Sequence, residues 1–189
     1  RAQALLDLQQ LDQAAATLDA LVESLADGSS EQKAIAQLLR AQLARARGDT
    51  TAAMRALEQA RSLAQRSGVR LLQLRIGLFA ARLSGGGAAL RALDAPTANL
   101  GHAGLRLEWL GQRLAAALES RDRDAALAAY QEAATWLRAG EFRDAAALHG
   151  LGARARLFAG DAAGAEAAEA LAQEALGAAS AARAPGPAP

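Results

Sequence analysis

One spacing pattern occurs five times in this chain at nearly even intervals: a small residue, a residue four positions on that is large in every copy but the last, and a small or apolar residue three beyond that. It is carried by Ala14, Leu18 and Leu21; by Ala53, Leu57 and Ala60; by Ala89, Leu93 and Pro96; by Ala126, Tyr130 and Ala133; and by Gly164, Ala168 and Leu171. The first positions are 39, 36, 37 and 38 residues apart. Steps of three and four fall on one side of a helix, so each occurrence marks the buried stripe of one helix. A second mark runs in step with the first. It comprises Leu71, Leu74 and Leu78; Leu107, Leu110, Gly111 and Leu114; Leu148, Leu151, Gly152 and Ala155; and, less cleanly, Ile35, Leu38 and Leu39. Two marks sharing one period describe a helical hairpin in tandem copies. A single hairpin buries too little apolar surface to be stable, so the copies must stack.

The stretch Leu107 to Ala133 carries the pattern most completely. Small residues at Gly111, Ala126 and Ala133 let two antiparallel backbones approach, while Leu107, Leu110, Leu114 and Tyr130 fill the space beside the crossing. Composition agrees with an all-α chain: 52% of residues are hydrophobic, mostly Ala and Leu, and residues that favour strands are scarce. Of the 21 basic residues 20 are Arg, with Lys33 the lone lysine, and they alternate with Asp and Glu to a net charge of +1. That interleaving is unlike the basic clusters of a nucleic-acid surface, so no nucleic-acid partner is expected.

The chain lacks cysteine, which fits the cytoplasm, the expected compartment, and the periplasm equally. No apolar run approaches the about 18 residues of a membrane helix, so no membrane insertion of this segment is expected. It opens on Arg1 already in helical register and without Met, as an excised piece would.

Helix stops divide the chain into units of about 1–28, 29–68, 69–101, 102–140 and 141–177, with an Ala/Pro-rich linker or disordered tail at 178–189. Leu11-Asp12 is expected to turn the chain, and Ser29 or Ser30 to cap the helix after Gly28. The third unit is the least regular. Gly85-Gly86-Gly87 breaks its first helix, and Pro96 predicts a short second helix near 88–93 followed by an irregular loop at 95–101. In the fifth unit helices are expected over 141–158 and 162–177, with Gly164 weakening the first turn of the second.

These hairpin marks resemble tetratricopeptide repeats over about residues 1–177. The long period is similar to variants in bacterial signalling proteins, such as activators of the maltose-regulator type and helical modules appended to kinases. Leu39 to Asp49, with Ala52, Ala53 and Leu57, is nearest that style. The chain departs from the family where Gly28, Gly68, Gly101, Gly140 and Gly177, rather than Pro, stand at the ends of second helices.

The resemblance implies a right-handed superhelix of about four and a half hairpins whose concave groove, made by first helices, binds a peptide or partner protein. Its inner positions fall on Lys33, Ala36 and Arg40; on Val69, Leu72, Ile76 and Phe79; on Leu105, Glu108 and Gln112; and on Ala146, His149, Ala153 and Arg156. The residues put forward for the groove are therefore Arg40, Leu72, Ile76, Phe79, Glu108, Gln112, His149 and Arg156. Leu72, Ile76 and Phe79 equally suit packing between repeats. The alternative function is a small-molecule-sensing domain whose curvature responds to ligand, flexing near Pro96. Self-association through the terminal hairpins is a further expectation.

No enzyme, metal or cofactor is expected. His102 and His149 lack partners at metal-ligand spacing and read as surface or groove residues. Gly85-Gly86-Gly87 has neither the preceding strand nor the Gly-Lys-Ser/Thr ending of a phosphate loop. Trp109 and Trp136 suit a stacking platform, but Trp109 suits packing against Tyr130 or a neighbouring repeat better. Asp122 and Asp124 sit in a turn where capping accounts for them.

Overall fold

A computed structural model describes residues 2–85 and 87–181. All described regular structure is helical, and the chain divides into two compact units, 1–86 and 87–189.

The first unit contains α1 (Ala2–Asp7), α2 (Leu11–Ser24), α3 (Ser30–Ala46), α4 (Thr50–Ser67) and α5 (Arg70–Ser84). Consecutive helices pack on one another: α1 on α2, α2 on α3, α3 on α4 and α4 on α5. The α3–α4 crossing is lined by alanines, Ala34 and Ala41 meeting Ala60 and Ala64, with Leu38 and Leu57 beside them. Because alanine adds one methyl to each backbone, the two helices come close without a void.

A charged ladder runs along the seam between α2 and α3. Lys33 Nζ donates to the Ala26 carbonyl at 2.8 Å, Arg40 to Asp19 at 3.1 Å, and Arg47 to Asp12 at 2.7 Å. The donors advance by seven residues as the acceptors retreat by seven, which is the geometry of two antiparallel helices in fixed register. Each rung is solvent-exposed and stabilises by no more than about 1 kcal/mol. Its main effect is on alignment, since a slip of one turn would break all three rungs.

The second unit contains α6 (Gly87–Ala92), α7 (Asp94–Asn99), α8 (Ala103–Glu119), α9 (Arg123–Leu137), α10 (Ala145–Phe158) and α11 (Ala162–Ala181). The helix α7 corrects the loop expected at 95–101. Pro96 is its third residue, within the first turn, where a backbone N–H has no intrahelical partner to lose. Three further boundaries differ. The first turn of the chain precedes Leu11 rather than including it; α10 starts at Ala145 rather than 141; and α11 continues through Gly177 to Ala181, taking in the start of the expected tail. Residues 182–189 of that tail lie outside the described residues.

Four hairpins, two in each unit, share one turn. Between α1 and α2, α3 and α4, α8 and α9, and α10 and α11 the linking residue has positive φ: Gln9 at 58°, Gly48 at 79°, Arg121 at 57° and Gly160 at 81°. In each case the next residue's N–H reaches back five positions at 2.9 Å, as in Gln10 to Leu5, Asp49 to Ala44, Asp122 to Ala117 and Asp161 to Arg156. This is a Schellman closure, satisfying carbonyls that a helix end leaves open. In three of the four, that next residue is an Asp whose carboxylate accepts from the N–H three positions on: Ala52, Ala125 or Gly164. One residue thus ends a helix and caps the next. The end of α5 is formed by Gly85, also at positive φ, whose N–H donates to the Ala81 carbonyl.

Two glycines act as sockets in the second unit. A Cβ on Gly111 of α8 would stand 3.1 Å from Leu148 Cδ2 of α10, and one on Gly152 of α10 would stand 2.1 Å from the Tyr130 ring of α9. The close approach at Gly111 therefore serves α10 and not the α8–α9 pair expected from the sequence.

Candidate partner-binding cleft

Of the positions implied to face a groove, Lys33 and Ala36 of the second repeat border a cleft. Lys33, Ala36 and Gln37 of α3, Val22, Leu25 and Ala26 at the end of α2, and Leu63 of α4 enclose about 230 Å³. Ala36 is its buried floor, and Val22, Leu25, Gln37 and Leu63 are half-buried walls, so the cleft opens to solvent. Its shape follows from the local sequence. The α2–α3 turn is tight: Gly28 donates to the Leu25 carbonyl at 2.9 Å, and a Cβ there would come within 2.8 Å of Leu25 Cδ2. Ser29 then starts α3 with a reciprocal capping box to Gln32. A methyl group at Ala36, where a longer side chain would plug the seam, leaves the space empty.

Arg40 lies one turn beyond, on the same side of α3, held by Asp19. Leu72, Ile76 and Phe79 are not groove residues. They are at most 7% exposed and pack into the core with Ala34, Leu38 and Ala41 of α3 and Leu57 and Ala60 of α4. An apolar stripe on a helix is drawn first to the nearest apolar face, here the α3–α4 hairpin.

In the second unit Leu105 is fully buried, Glu108 is exposed and Gln112 half-buried on α8. His149 and Arg156 meet at Tyr130 of α9. The Tyr130 hydroxyl lies 3.0 Å from His149 Nδ1, the two rings stand edge to face, and the Arg156 guanidinium is 5.6 Å from the phenol ring. His149 is buried, which corrects its expected place at the surface, and burial holds its imidazole below the ordinary range. Burial likewise raises the Tyr130 phenol, opposed by the Arg156 charge. Arg156 also donates to Asp161 at 2.7 Å; the Gly164 N–H and Arg156 together lower that carboxyl. These bonds lock α9, α10 and α11 together. The other histidine, His102, caps α8 by accepting from the Leu105 N–H at 3.2 Å.

The depressed His149 has a measurable consequence. Above its unfolded pKa, about 6.5, both states are neutral and the residue adds no pH dependence. As pH falls below that value the unfolded chain takes up a proton that the native site resists, so stability is lost. Chemical denaturation from pH 7.5 to 5 should show a decline of at most about 1.4 kcal/mol per pH unit from this residue, and His149→Phe should flatten it. Parallel profiles for the two proteins would show that the site does not exclude the proton.

The most heavily bonded buried charge was not singled out in the sequence. Arg106 of α8 is buried, with Nε 2.7 Å from Glu132 Oε1 and Nη1 2.7 Å from Asp94 Oδ1 and 3.2 Å from Thr97 Oγ1. Its guanidinium lies 4.1 Å from the Trp109 ring centre, and Arg113 is 5.2 Å from the same centre. Trp109 Nε1 donates to the Leu90 carbonyl at 2.8 Å. The tryptophan is thus buried and tied to α6, and is no exposed platform. Its position one helical turn from Arg106 was the available signal.

Comparison with protein-family models, curated proteins and solved structures finds no match to this chain. Among the described residues no helix is long and apolar enough to cross a membrane.

Proposed function

We propose that this chain is a non-catalytic binding module, a tetratricopeptide-like array that receives a peptide or partner protein, as part of a bacterial signalling or regulatory protein. The observation that carries the reading is the cleft over Ala36, whose lining includes Lys33 and Ala36, two positions that the repeat resemblance assigns to the inner surface. The recurring Schellman-to-Asp turn supports a repeat array, and by the resemblance its copies would wind as a right-handed superhelix. The cleft size favours an anchor from a larger partner. At about 230 Å³ it falls below the roughly 300–1,000 Å³ of sites that enclose a free ligand, and half-buried walls suit a side chain presented from outside.

Peptide-display selection against the full chain, followed by titration of the selected peptides, tests this reading. Ala36→Leu fills the cleft and should abolish binding while changing the melting temperature by only a few degrees. Selected peptides that bind the folded Ala36→Leu variant undiminished would exclude the cleft as the site.

A further inference from the structure

We propose that the face of α3 and α5 marked by Gln42, Arg45, Arg75 and Arg82 docks an extended acidic segment of a partner protein. This is a second surface, on the opposite side of α3 from the cleft: Arg45 stands nine residues beyond Ala36, about two and a half turns.

The near-zero charge of the whole chain conceals a segregation. Residues 30–84 hold ten basic side chains against three acidic ones, Glu31, Asp49 and Glu58, a net charge of +7 where the whole chain carries +1. Asp49 caps α4, and Glu58 pairs with Arg61. On α5 the only exposed side chains are Arg70, Arg75, Arg82 and Ser84, and the helix has no acid. Among the described residues neither these three arginines nor Arg45 has an ion pair. The neighbours three and four positions from Arg75 are Leu71, Leu72, Leu78 and Phe79, so no carboxylate on its own helix can pair with it.

The packing brings these cations to one end. Two reversals of the chain make α3 and α5 run in the same direction, and Ala34, Leu38 and Ala41 of α3 share a core cluster with Leu72, Ile76 and Phe79 of α5, each 38 residues further on. Arg45 and Arg82, both in last turns, therefore lie at the same end. Burial first, and the Arg82 charge second, hold the Arg45 guanidinium below its ordinary range. Arg75 stands two turns before Arg82 on the same side of α5. A helix C-terminus attracts a cation, which accounts for Arg45 and Arg82 singly but not for their pairing or for Arg75.

The occupant follows from spacing and from Gln42. Seven residues of helix separate Arg75 from Arg82, about 10.5 Å. A polypeptide in the polyproline II conformation places every third side chain on one side, about 9 Å apart, and leaves its backbone N–H groups free. Gln42, one turn before Arg45, is half-buried with its Oε1 enclosed and unpartnered. A turn of the amide brings that oxygen out to such an N–H. A phosphodiester backbone has no N–H to offer, and the one aromatic residue of the first unit, Phe79, is buried and gives nucleobases nothing to stack on. Carboxylates on an extended polypeptide therefore fit this face better than phosphates.

Fluorescence anisotropy on the full chain tests this with an end-blocked Glu-Pro-Ser repeat, held extended by its prolines, and its glutamine and lysine counterparts. The acidic repeat should bind about tenfold tighter than the glutamine one, with the lysine one weaker still. Arg75→Gln combined with Arg82→Gln should weaken the acidic repeat about tenfold, each exposed ion pair being worth up to about fivefold, or about 1 kcal/mol. Both side chains are exposed, so the melting temperature should not move. Gln42→Leu should weaken binding about threefold yet raise the melting temperature, because it removes a buried acceptor that has no partner. Ala36→Leu, which fills the cleft, should leave this binding unchanged, so failure of the cleft and failure of this surface are told apart.

No preference for the acidic repeat, or binding undiminished in the double arginine variant, would overturn the inference. Duplex DNA or phosphatidylserine vesicles bound more tightly than the acidic repeat, and released by the same double variant, would overturn it too, since the arginines would then serve phosphates.

Discussion

Replacing Gly152 by alanine is expected to destabilise the protein by about 1–2 kcal/mol, while the same change at Gly150, two residues earlier in α10, is expected to stabilise it. On helix propensity alone both substitutions should gain up to about 1 kcal/mol, because alanine restricts the unfolded chain and glycine does not. At Gly150 nothing lies within 4 Å of the added methyl, so that gain stands. At Gly152 the methyl would lie 2.1 Å from the Tyr130 ring. That ring is buried and tied to His149, so it cannot swing aside, and overpacking of this kind typically costs about 1–3 kcal/mol. For a chain of this size the melting temperature should fall by roughly 5 °C for Gly152→Ala and rise by 2 °C or so for Gly150→Ala. Calorimetry on the pair checks this directly. Two shifts of the same sign would mean that Tyr130 does not occupy the Gly152 socket.

Removing both carboxylates around Arg106 should cost more than removing Arg106 itself. The guanidinium side chain is only 7% exposed, whereas those of Asp94 and Glu132 are 48% and 37% exposed. With Asp94→Ala and Glu132→Ala combined, a buried charge keeps only neutral acceptors, the Asp94 carbonyl and Thr97 hydroxyl. Stranding a buried charge costs about 3–5 kcal/mol. Arg106→Met leaves two carboxylates that water can reach and keeps an apolar stem against Trp109, so a loss nearer 1–2 kcal/mol is expected. Each single carboxylate variant should lose less than half of the double, since the remaining acid still neutralises Arg106. Urea denaturation of the four variants measures the order. A double variant no worse than Arg106→Met would show that the guanidinium is hydrated.

Periodicity made the helices legible, and with them the small residues at the crossings: Ala53, Ala60, Ala126 and Ala133 are all fully buried. The Gly-Asp pairs at 48–49 and 160–161 located two of the turns, because glycine at positive φ and aspartate at a cap each leave a local mark. Arg121-Asp122 forms the same turn without glycine, since three of the four closures need only one residue to accept the left-handed region next to a capping acid.

What one helix presents to a non-adjacent helix was not legible. Leu72, Ile76 and Phe79 have the spacing of either a groove or a core, and only the position of the α3–α4 hairpin decides between them. The Arg106 pairs join residues 12 and 26 positions apart, beyond the reach of any helical period. The segment around Pro96 misled because a proline that ends a helix from within is harmless in the first turn of a new one. Lys33 and Ala36 were placed by the repeat resemblance, but that they border an empty space depends on the register set by the α2–α3 ladder.

Amide chemical-shift mapping of the full chain with a peptide selected against it by display tests the central claim most directly. The account predicts that the largest shifts fall on Val22, Leu25, Lys33, Ala36, Gln37 and Leu63, and that they vanish in the Ala36→Leu variant. Saturable shifts centred on α8 and α10, with those six residues unmoved, would contradict it.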